Sequence, residues 1–182
     1  PPEPPRPAAG SAPAPAPGGP AASPATPGPT VVVEFSDYLC PFCASAHAQV
    51  QKLVSGRSDL QLVHRHFPLD PACNPAVKRA IHPGACGLAK AGICGEAQGR
   101  GAELDTLIFE NQRAGRPVAE LAREAGLDLA IFEECLSAPA TDRRLAADIQ
   151  AALQIGIRAT PTFVVDGVVY SGSLPPQLTS AQ

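Results

Sequence analysis

The sequence predicts an α/β domain in which a long helical segment lies between a βαβ unit and a β-hairpin. The βαβ unit is indicated by two alternating apolar stretches with a helix-like stretch between them, within residues 31–67. The hairpin is indicated by Asp166-Gly167 between two β-branched stretches near the C-terminus. Between these regions strand patterns vanish for roughly eighty residues, which predicts consecutive helices.

The N-terminal segment, residues 1–30, is predicted to be a disordered linker. It holds twelve of the 22 prolines and is otherwise nearly all Ala, Gly, Ser and Thr. Such a composition cannot bury enough apolar surface to offset the entropy of ordering, and proline favours the extended polyproline conformation. Residues 31–182 are therefore expected to form one compact domain.

The βαβ unit begins with Val31–Ser36, which alternates as a central strand does and carries Glu34 on the face opposite to its largest apolar side chains. A helix is predicted from Pro41 to about residue 54, because proline is well tolerated at the first helical position. Leu60–Phe67 alternates again and ends at a proline. Since a helix connects the two strands, they are expected to be parallel.

The helical segment runs from Cys73 to about residue 153 and is expected as an insertion over about residues 72–155. Its predicted breaks are near Gly99, Gly115-Arg116-Pro117, Gly126 and Pro139. The hairpin strands follow as Thr162–Val165 and Val168–Tyr170, and residues 175–182 leave room for one short helix.

Charge and composition exclude several classes of function. The net charge is −3 and the 14 basic residues are scattered, which predicts no nucleic-acid partner and no polybasic membrane anchor. No apolar run approaches the roughly 18 to 20 residues that span a bilayer. Six cysteines, an even number, favour an oxidising compartment in which four of them form structural disulfides.

The pair Cys40 and Cys43 in the sequence Cys-Pro-Phe-Cys follows the first strand directly. Two thiols at this spacing exchange electrons as a dithiol/disulfide couple. The positive end of a helix dipole lowers the pKa of a cysteine in its first turn, to between roughly 3.5 and 7 in such motifs. Cys40 is therefore predicted to be the exposed nucleophile that forms mixed disulfides, and Cys43 the buried resolving thiol.

Glu34 precedes Cys40 by six residues, on a strand that is expected to be covered by helices. Burial generally raises the pKa of a carboxylate and allows it to carry a proton. Glu34 is therefore predicted to relay a proton to or from Cys43, and the alternative is that it lies on an exposed edge.

Thr160-Pro161 comes just before the first hairpin strand, where proline marks the entrance of a strand. Position alone favours a trans bond, because only about 5 to 6% of X-Pro bonds in folded proteins are cis.

Three histidines lie near these elements. His47 follows Cys43 by four residues and is predicted to be an ordinary solvated helix residue rather than a metal ligand or a proton carrier. His64 and His66 share one strand face, and since the sequence offers no third ligand they are predicted to be structural. No metal ion is expected.

The remaining cysteines are separated by 12, 7 and 40 intervening residues. Ligand pairs of structural zinc usually lie two to four residues apart, so disulfides fit this spacing better. Four cysteines permit three pairings, which the spacing does not distinguish.

Two stretches, residues 35–43 and 156–167, together with the helical insertion resemble the DsbA-like thiol:disulfide oxidoreductases of the thioredoxin superfamily. The resemblance covers about residues 31–170 and implies a thioredoxin fold with an inserted helical subdomain. It also implies that the Thr160-Pro161 bond is cis and packs against the redox pair, that Thr160 offers backbone bonds to an extended substrate, and that an acid occupies the place of Glu34.

The cysteine-containing segments of the insertion resemble a subgroup of these proteins that is found free or joined to vitamin K epoxide reductase modules. The resemblance implies a disulfide between Cys94 and Cys135, with Cys73 and Cys86 as the second bridge. For the second bridge, free buried thiols or another pairing remain alternatives.

The resulting expectation is an enzyme that catalyses disulfide formation or exchange in exported proteins, in the periplasm or elsewhere outside the cytoplasm. Its substrates are unfolded or reduced proteins, and it needs no cofactor. A membrane redox partner of vitamin K epoxide reductase or DsbB type is expected, with the N-terminal linker as a membrane tether. The alternatives are a disulfide reductase or isomerase, and a non-catalytic thioredoxin-like domain that binds metal or a protein.

Overall fold

The structure of the chain is a computed structural model that describes residues 28–179. Most of the predicted linker, residues 1–27, lies outside the described residues. Four strands form one sheet: β1 (Thr30–Ser36), β2 (Leu60–His66), β3 (Thr162–Val165) and β4 (Val168–Ser171). The helices are α1 (Pro41–Ser55), α2 (Ala85–Ala97), α3 (Gly101–Glu110), α4 (Val118–Glu124), α5 (Leu129–Ser137), α6 (Pro139–Gln154) and α7 (Pro176–Thr179).

The sheet has the strand order β2-β1-β3-β4, which places β1 in its interior. β1 and β2 are parallel and connected by α1, whereas β3 runs antiparallel to both β1 and β4. In this register Glu34 of β1 lies beside His64 of β2. The helices α2–α6 all lie between β2 and β3 in the chain.

Three apolar clusters hold the fold together. One lies against one sheet face with Val32, Val50 and Phe163, and a second lies against the other face with Phe35 and Ile149. This division follows from the alternation of β1, which sends successive side chains to opposite faces.

The third cluster joins the insertion to the redox motif. It contains Cys40 and Cys43 together with Leu104 and Ile108 of α3 and Phe132 of α5. The inserted helices therefore pack directly on the start of α1.

Two disulfides reinforce the insertion and the loop before it. Cys94 of α2 is bonded to Cys135 of α5, with a Cα–Cα distance of 5.8 Å. Cys73 is bonded to Cys86, with a Cα–Cα distance of 6.0 Å, and this bridge closes the loop between β2 and α2. The structure thus has the pairing that the resemblance implies. Within residues 28–179, no helix is long and apolar enough to cross a bilayer.

Candidate active site

The turn that presents the cysteines joins β1 to α1. The Cys40 amide donates to the Asp37 carbonyl at 3.0 Å, and the Leu39 amide donates to the Asp37 carboxylate at 2.7 Å. Pro41 begins α1 and Cys40 is its N-cap residue. Because proline needs no hydrogen-bond acceptor at this position, the turn can lead directly into the helix. Cys40 therefore lies at a helix N-terminus, as the sequence predicts.

Cys40 and Cys43 are free thiols with opposite electrostatic surroundings. The Cys43 thiol hydrogen-bonds to the Cys40 sulfur and, with smaller contributions from the Cys43 and Phe42 amides, lowers the pKa of Cys40 to about 6 against the opposing effect of burial. Burial, followed by the hydrogen bond with Cys40, raises the pKa of Cys43 far above its ordinary value. At neutral pH, Cys40 is therefore mainly a thiolate and Cys43 a thiol.

The expectation of an exposed Cys40 is wrong. Its residue surface is only 4% exposed, and Cys43 is fully buried. Cys40 belongs to the apolar cluster of the insertion and lies against Thr160, so little of its surface is left to solvent. The neighbouring Phe42, by contrast, is 74% exposed.

The loop before β3 packs against the redox pair. The Thr160-Pro161 bond is cis, and the Thr160 carbonyl oxygen lies 3.7 Å from the Cys40 sulfur. Pro161 itself is buried. The structure therefore brings Thr160 to Cys40 across 120 residues of sequence.

Two side chains outside the motif hold the active-site turn. The second carboxylate oxygen of Asp37 accepts from the Leu69 amide at 2.7 Å and from His82 Nδ1 at 2.9 Å. The amide nitrogen of Gln112 donates to the Tyr38 carbonyl at 2.5 Å and to the Cys40 carbonyl at 3.0 Å. Gln112 is not among the site residues predicted from the sequence, because no motif marks it.

Glu34 is completely buried, so its alternative placement on an exposed edge is wrong. One of its carboxylate oxygens accepts from His47 Nδ1 at 3.1 Å, and the other has no hydrogen-bond partner among the described residues. His47 Nε2 lies 3.3 Å from the Gln51 amide nitrogen.

The prediction of a solvated His47 is also wrong, since this residue is 2% exposed. The His47 face of α1 packs on β1 and on the ring of Phe109, with ring centroids 4.7 Å apart. A cleft of about 310 Å³ between α1 and α3 is lined by Ala44, His47, Gln51, Phe109 and Glu110, among others. His47 thus stands between the buried carboxylate and this cleft.

His64 forms a second buried acid–histidine pair. Its Nδ1 donates to Asp105 at 2.8 Å and its Nε2 donates to the Ser36 hydroxyl at 2.5 Å, while Tyr38 donates to the other Asp105 oxygen. Burial by itself lowers the pKa of His64, but the Asp105 carboxylate outweighs this effect and raises it to about 9. His64 is therefore protonated at neutral pH.

His66 is hydrogen-bonded to a third carboxylate, which agrees with the prediction that His64 and His66 have a structural role. Its Nδ1 donates to Asp148 at 3.1 Å, and Asp148 also accepts from Arg65 at 2.6 Å. Although burial opposes ionisation, these partners lower the pKa of Asp148 to about 2. Within the described part of the chain, no group of three or more His, Cys, Asp or Glu side chains is placed to hold a metal ion.

Comparison with known proteins places the chain among thioredoxin-like proteins. A family model described as thioredoxin matches residues 25–181. A solved thioredoxin-like oxidoreductase from Silicibacter pomeroyi is 28% identical and superposes with a TM-score of 0.66 over 85% of this chain and 84% of that chain. A probable DsbA oxidoreductase from Streptomyces coelicolor is 24% identical and has a TM-score of 0.70 over 84% of this chain and 88% of its own.

The chain also matches part of a longer protein. The Na(+)/H(+) antiporter NhaA 3 of Salinispora tropica is 33% identical over 156 residues, which cover 84% of this chain and 22% of the antiporter. The chain thus spans about a fifth of the length of the curated relatives it matches.

The fold is the one seen in these thioredoxin-like and DsbA structures, and the predicted thioredoxin fold class is confirmed. The chain belongs to the thioredoxin family that matches residues 25–181.

Proposed function

We propose that this chain introduces disulfides into exported proteins through Cys40 and Cys43. The observation that carries the proposal is the split between the two sulfurs, with a pKa of about 6 for Cys40 and a strongly raised pKa for Cys43. A stabilised Cys40 thiolate favours the reduced form of the couple, and a couple whose reduced form is stabilised is an oxidant.

The reaction starts from the Cys40–Cys43 disulfide. A substrate thiolate attacks the Cys40 sulfur, the bond between the two enzyme sulfurs breaks, and Cys43 leaves with the electron pair and takes up a proton. A second substrate thiolate then attacks the substrate sulfur of the mixed disulfide. Cys40 leaves as its stable thiolate, so that the substrate has lost two electrons and the enzyme has gained them.

Glu34 is proposed to supply the proton that Cys43 needs. Cys43 and His47 lie one turn apart on α1, and His47 holds one oxygen of Glu34. The other oxygen of this buried carboxylate has no partner among the described residues and is free to bond to a water molecule. A buried carboxylate is suited to general acid–base work.

Substrate binding is proposed at the surface beside Cys40. The loop with the cis Thr160-Pro161 bond contacts the Cys40 sulfur. Phe42, which follows Cys40 by two residues, has an exposed side chain. A backbone segment at Thr160 can pair with an extended chain, and an exposed aromatic ring suits the apolar residues of an unfolded protein.

The setting is proposed to be the periplasm or another space outside the cytoplasm. The two structural disulfides support this location, because such bonds persist in oxidising compartments. A membrane redox protein of vitamin K epoxide reductase or DsbB type is the proposed partner that reoxidises Cys40 and Cys43, and residues 1–30 are the proposed tether.

The test compares the wild-type protein with Cys40→Ser and Cys43→Ser in the oxidation of a reduced test protein. Cys40→Ser is expected to abolish oxidation. Cys43→Ser in which Cys40 is first converted to a mixed disulfide with glutathione should exchange the glutathione for the test protein, with release of reduced glutathione, and accumulate an enzyme–substrate mixed disulfide that mass spectrometry detects. Retention of full activity by Cys40→Ser contradicts the proposal. Efficient insulin reduction with little thiol oxidation indicates a reductase instead, and bound metal in place of either activity indicates a binding domain.

A further inference from the structure

Gln112 contacts the backbone on both sides of the active-site turn. Its amide nitrogen has two hydrogens, and the two acceptors within reach are the Tyr38 carbonyl at 2.5 Å and the Cys40 carbonyl at 3.0 Å. The Cys40 carbonyl also accepts from the Ala44 amide at 3.2 Å, which is the first hydrogen bond of α1. Gln112 therefore binds the residue at which the turn becomes the helix.

The position of Gln112 is fixed by the end of α3. The Gln112 amide donates to the Phe109 carbonyl at 3.4 Å, and the preceding Asn111 closes the helix through its amide and its side chain, both of which donate to the Leu107 carbonyl. Phe109 is buried and packs on the Tyr38 ring, with centroids 4.9 Å apart. Gln112 thus reaches the turn from a helix end that is anchored beside it.

We propose that Gln112 is a positioning residue through which the helical insertion holds Cys40 in its reactive geometry. No side chain caps the start of α1, so the orientation of the Cys40 backbone depends on the turn and on Gln112. A fixed backbone keeps the Cys40 sulfur close to the amides of Phe42 and Cys43, which stabilise its thiolate.

This inference rests on the proposed redox role of Cys40 and Cys43, and it adds the reason why the insertion matters to that role. The insertion is not a separate layer beside the redox site. The segment that follows α3 carries Gln112, whose amide nitrogen donates to two carbonyls of the active-site turn.

Gln98 provides a matched control within the same insertion. Its amide nitrogen donates to the Asp128 carbonyl at 3.1 Å, and its amide oxygen accepts from the Asp128 amide at 2.9 Å. Gln98 therefore joins two parts of the insertion, because Asp128 is the residue before α5. Gln112, by contrast, joins the insertion to the active-site turn.

The experiment compares Gln112→Met and Gln98→Met with the wild-type protein. For each protein, the Cys40 pKa is titrated by thiolate absorbance, and the equilibrium of the couple with glutathione is measured. Gln112→Met is expected to raise the Cys40 pKa by about half a unit to one unit and to shift the equilibrium about threefold to tenfold towards the disulfide, the size of one or two lost hydrogen bonds. Gln98→Met should lower the thermal midpoint without moving either value.

Unchanged values in a folded Gln112→Met protein overturn the inference, as does an equal shift in Gln98→Met. Should Gln112→Met fail to fold, Gln112→Asn retracts the donor by one methylene, and the same shift in the same direction is required of it. A wild-type Cys40 that does not ionise below pH 7 contradicts the proposed function itself. A wild type that ionises near pH 6 together with an unshifted variant contradicts only the role of Gln112.

Discussion

Two of the buried acid–histidine pairs, Glu34 with His47 and Asp105 with His64, differ in how completely their carboxylates are hydrogen-bonded. Glu34 and His64 are neighbours in the sheet register, and the rings of His47 and His64 lie 5.7 Å apart. Asp105 has a partner on each oxygen, His64 on one and Tyr38 on the other. Glu34 has His47 on one oxygen and, among the described residues, none on the other.

This difference separates a structural pair from one that can carry a proton. A saturated buried network, one in which every polar group is hydrogen-bonded, stabilises a single arrangement. Removal of one member leaves the others without a hydrogen-bond partner. A buried carboxylate with a free oxygen can bind a water molecule and change its protonation state without breaking an existing bond. We therefore propose that the pair that contains Asp105 serves stability and that the pair that contains Glu34 serves redox turnover.

The largest expected effect is on the stability of an Asp105→Ala variant. This change removes the carboxylate that holds His64 protonated and leaves the buried His64 ring and Tyr38 hydroxyl without that hydrogen-bond partner. The loss of one partner from a buried ion pair costs about 3–5 kcal/mol. Chemical denaturation of the oxidised protein measures the loss. Since Asp105 belongs to the saturated pair, its loss should hardly affect the redox couple. The glutathione equilibrium of the folded fraction should stay within about threefold of the wild type, which corresponds to a change of less than about half a unit in the Cys40 pKa. A larger redox shift at unchanged stability would reverse the assignment.

A smaller effect, on rate rather than on stability, is expected for Glu34→Gln. The amide cannot exchange a proton with Cys43, so the rate of dithiol oxidation should fall about tenfold to a hundredfold, at the lower end for a lost general acid. The folded structure should be retained, because the amide keeps the shape of the carboxylate and an oxygen that can accept from His47. Stopped-flow mixing with a dithiol peptide gives the rate, and denaturation gives the stability. An unchanged rate in this variant excludes Glu34 from the reaction.

How well the sequence predicts a feature depends on how far apart along the chain the interacting residues lie. The Cys40 motif, the turn before it and the hairpin depend on neighbouring residues, and their patterns predict them directly. Gln112 acts on a turn 72 residues away, and Asp105 bonds to a histidine 41 residues away. A polar residue at the end of a helix carries no sign of such a partner.

The error at His47 has a related cause. Its helix has apolar and polar residues on several faces, so the sequence does not show that the His47 face is covered by β1 and α3. The acid on β1 that receives its hydrogen bond lies 13 residues earlier, outside the reach of helix periodicity. In the sequence Glu34 and His47 are separate features, and only the fold joins them.

The pH dependence of stability gives the most selective test of the pair formed by Asp105 and His64. The pKa of His64 is raised from 6.5 to about 9, so the stability that it contributes is fully present below about pH 6.5 and is lost as the pH rises through 9. The measurement uses the oxidised protein, in which Cys40 and Cys43 do not titrate. Tyr38 has a pKa raised above 10, and Asp148 one lowered to about 2, so both fall outside this window.

Asp105→Asn supplies the control, because the amide keeps the shape of the site but removes the charge that holds His64 protonated. In this variant the decline in stability between pH 6.5 and pH 9 should largely disappear. Glu34→Gln should keep the decline, since Asp105, the main cause of the raised His64 pKa, remains in place. If the two variants exchanged these profiles, the charge that sets the pH dependence would lie on Glu34, and the division between the two pairs would be wrong.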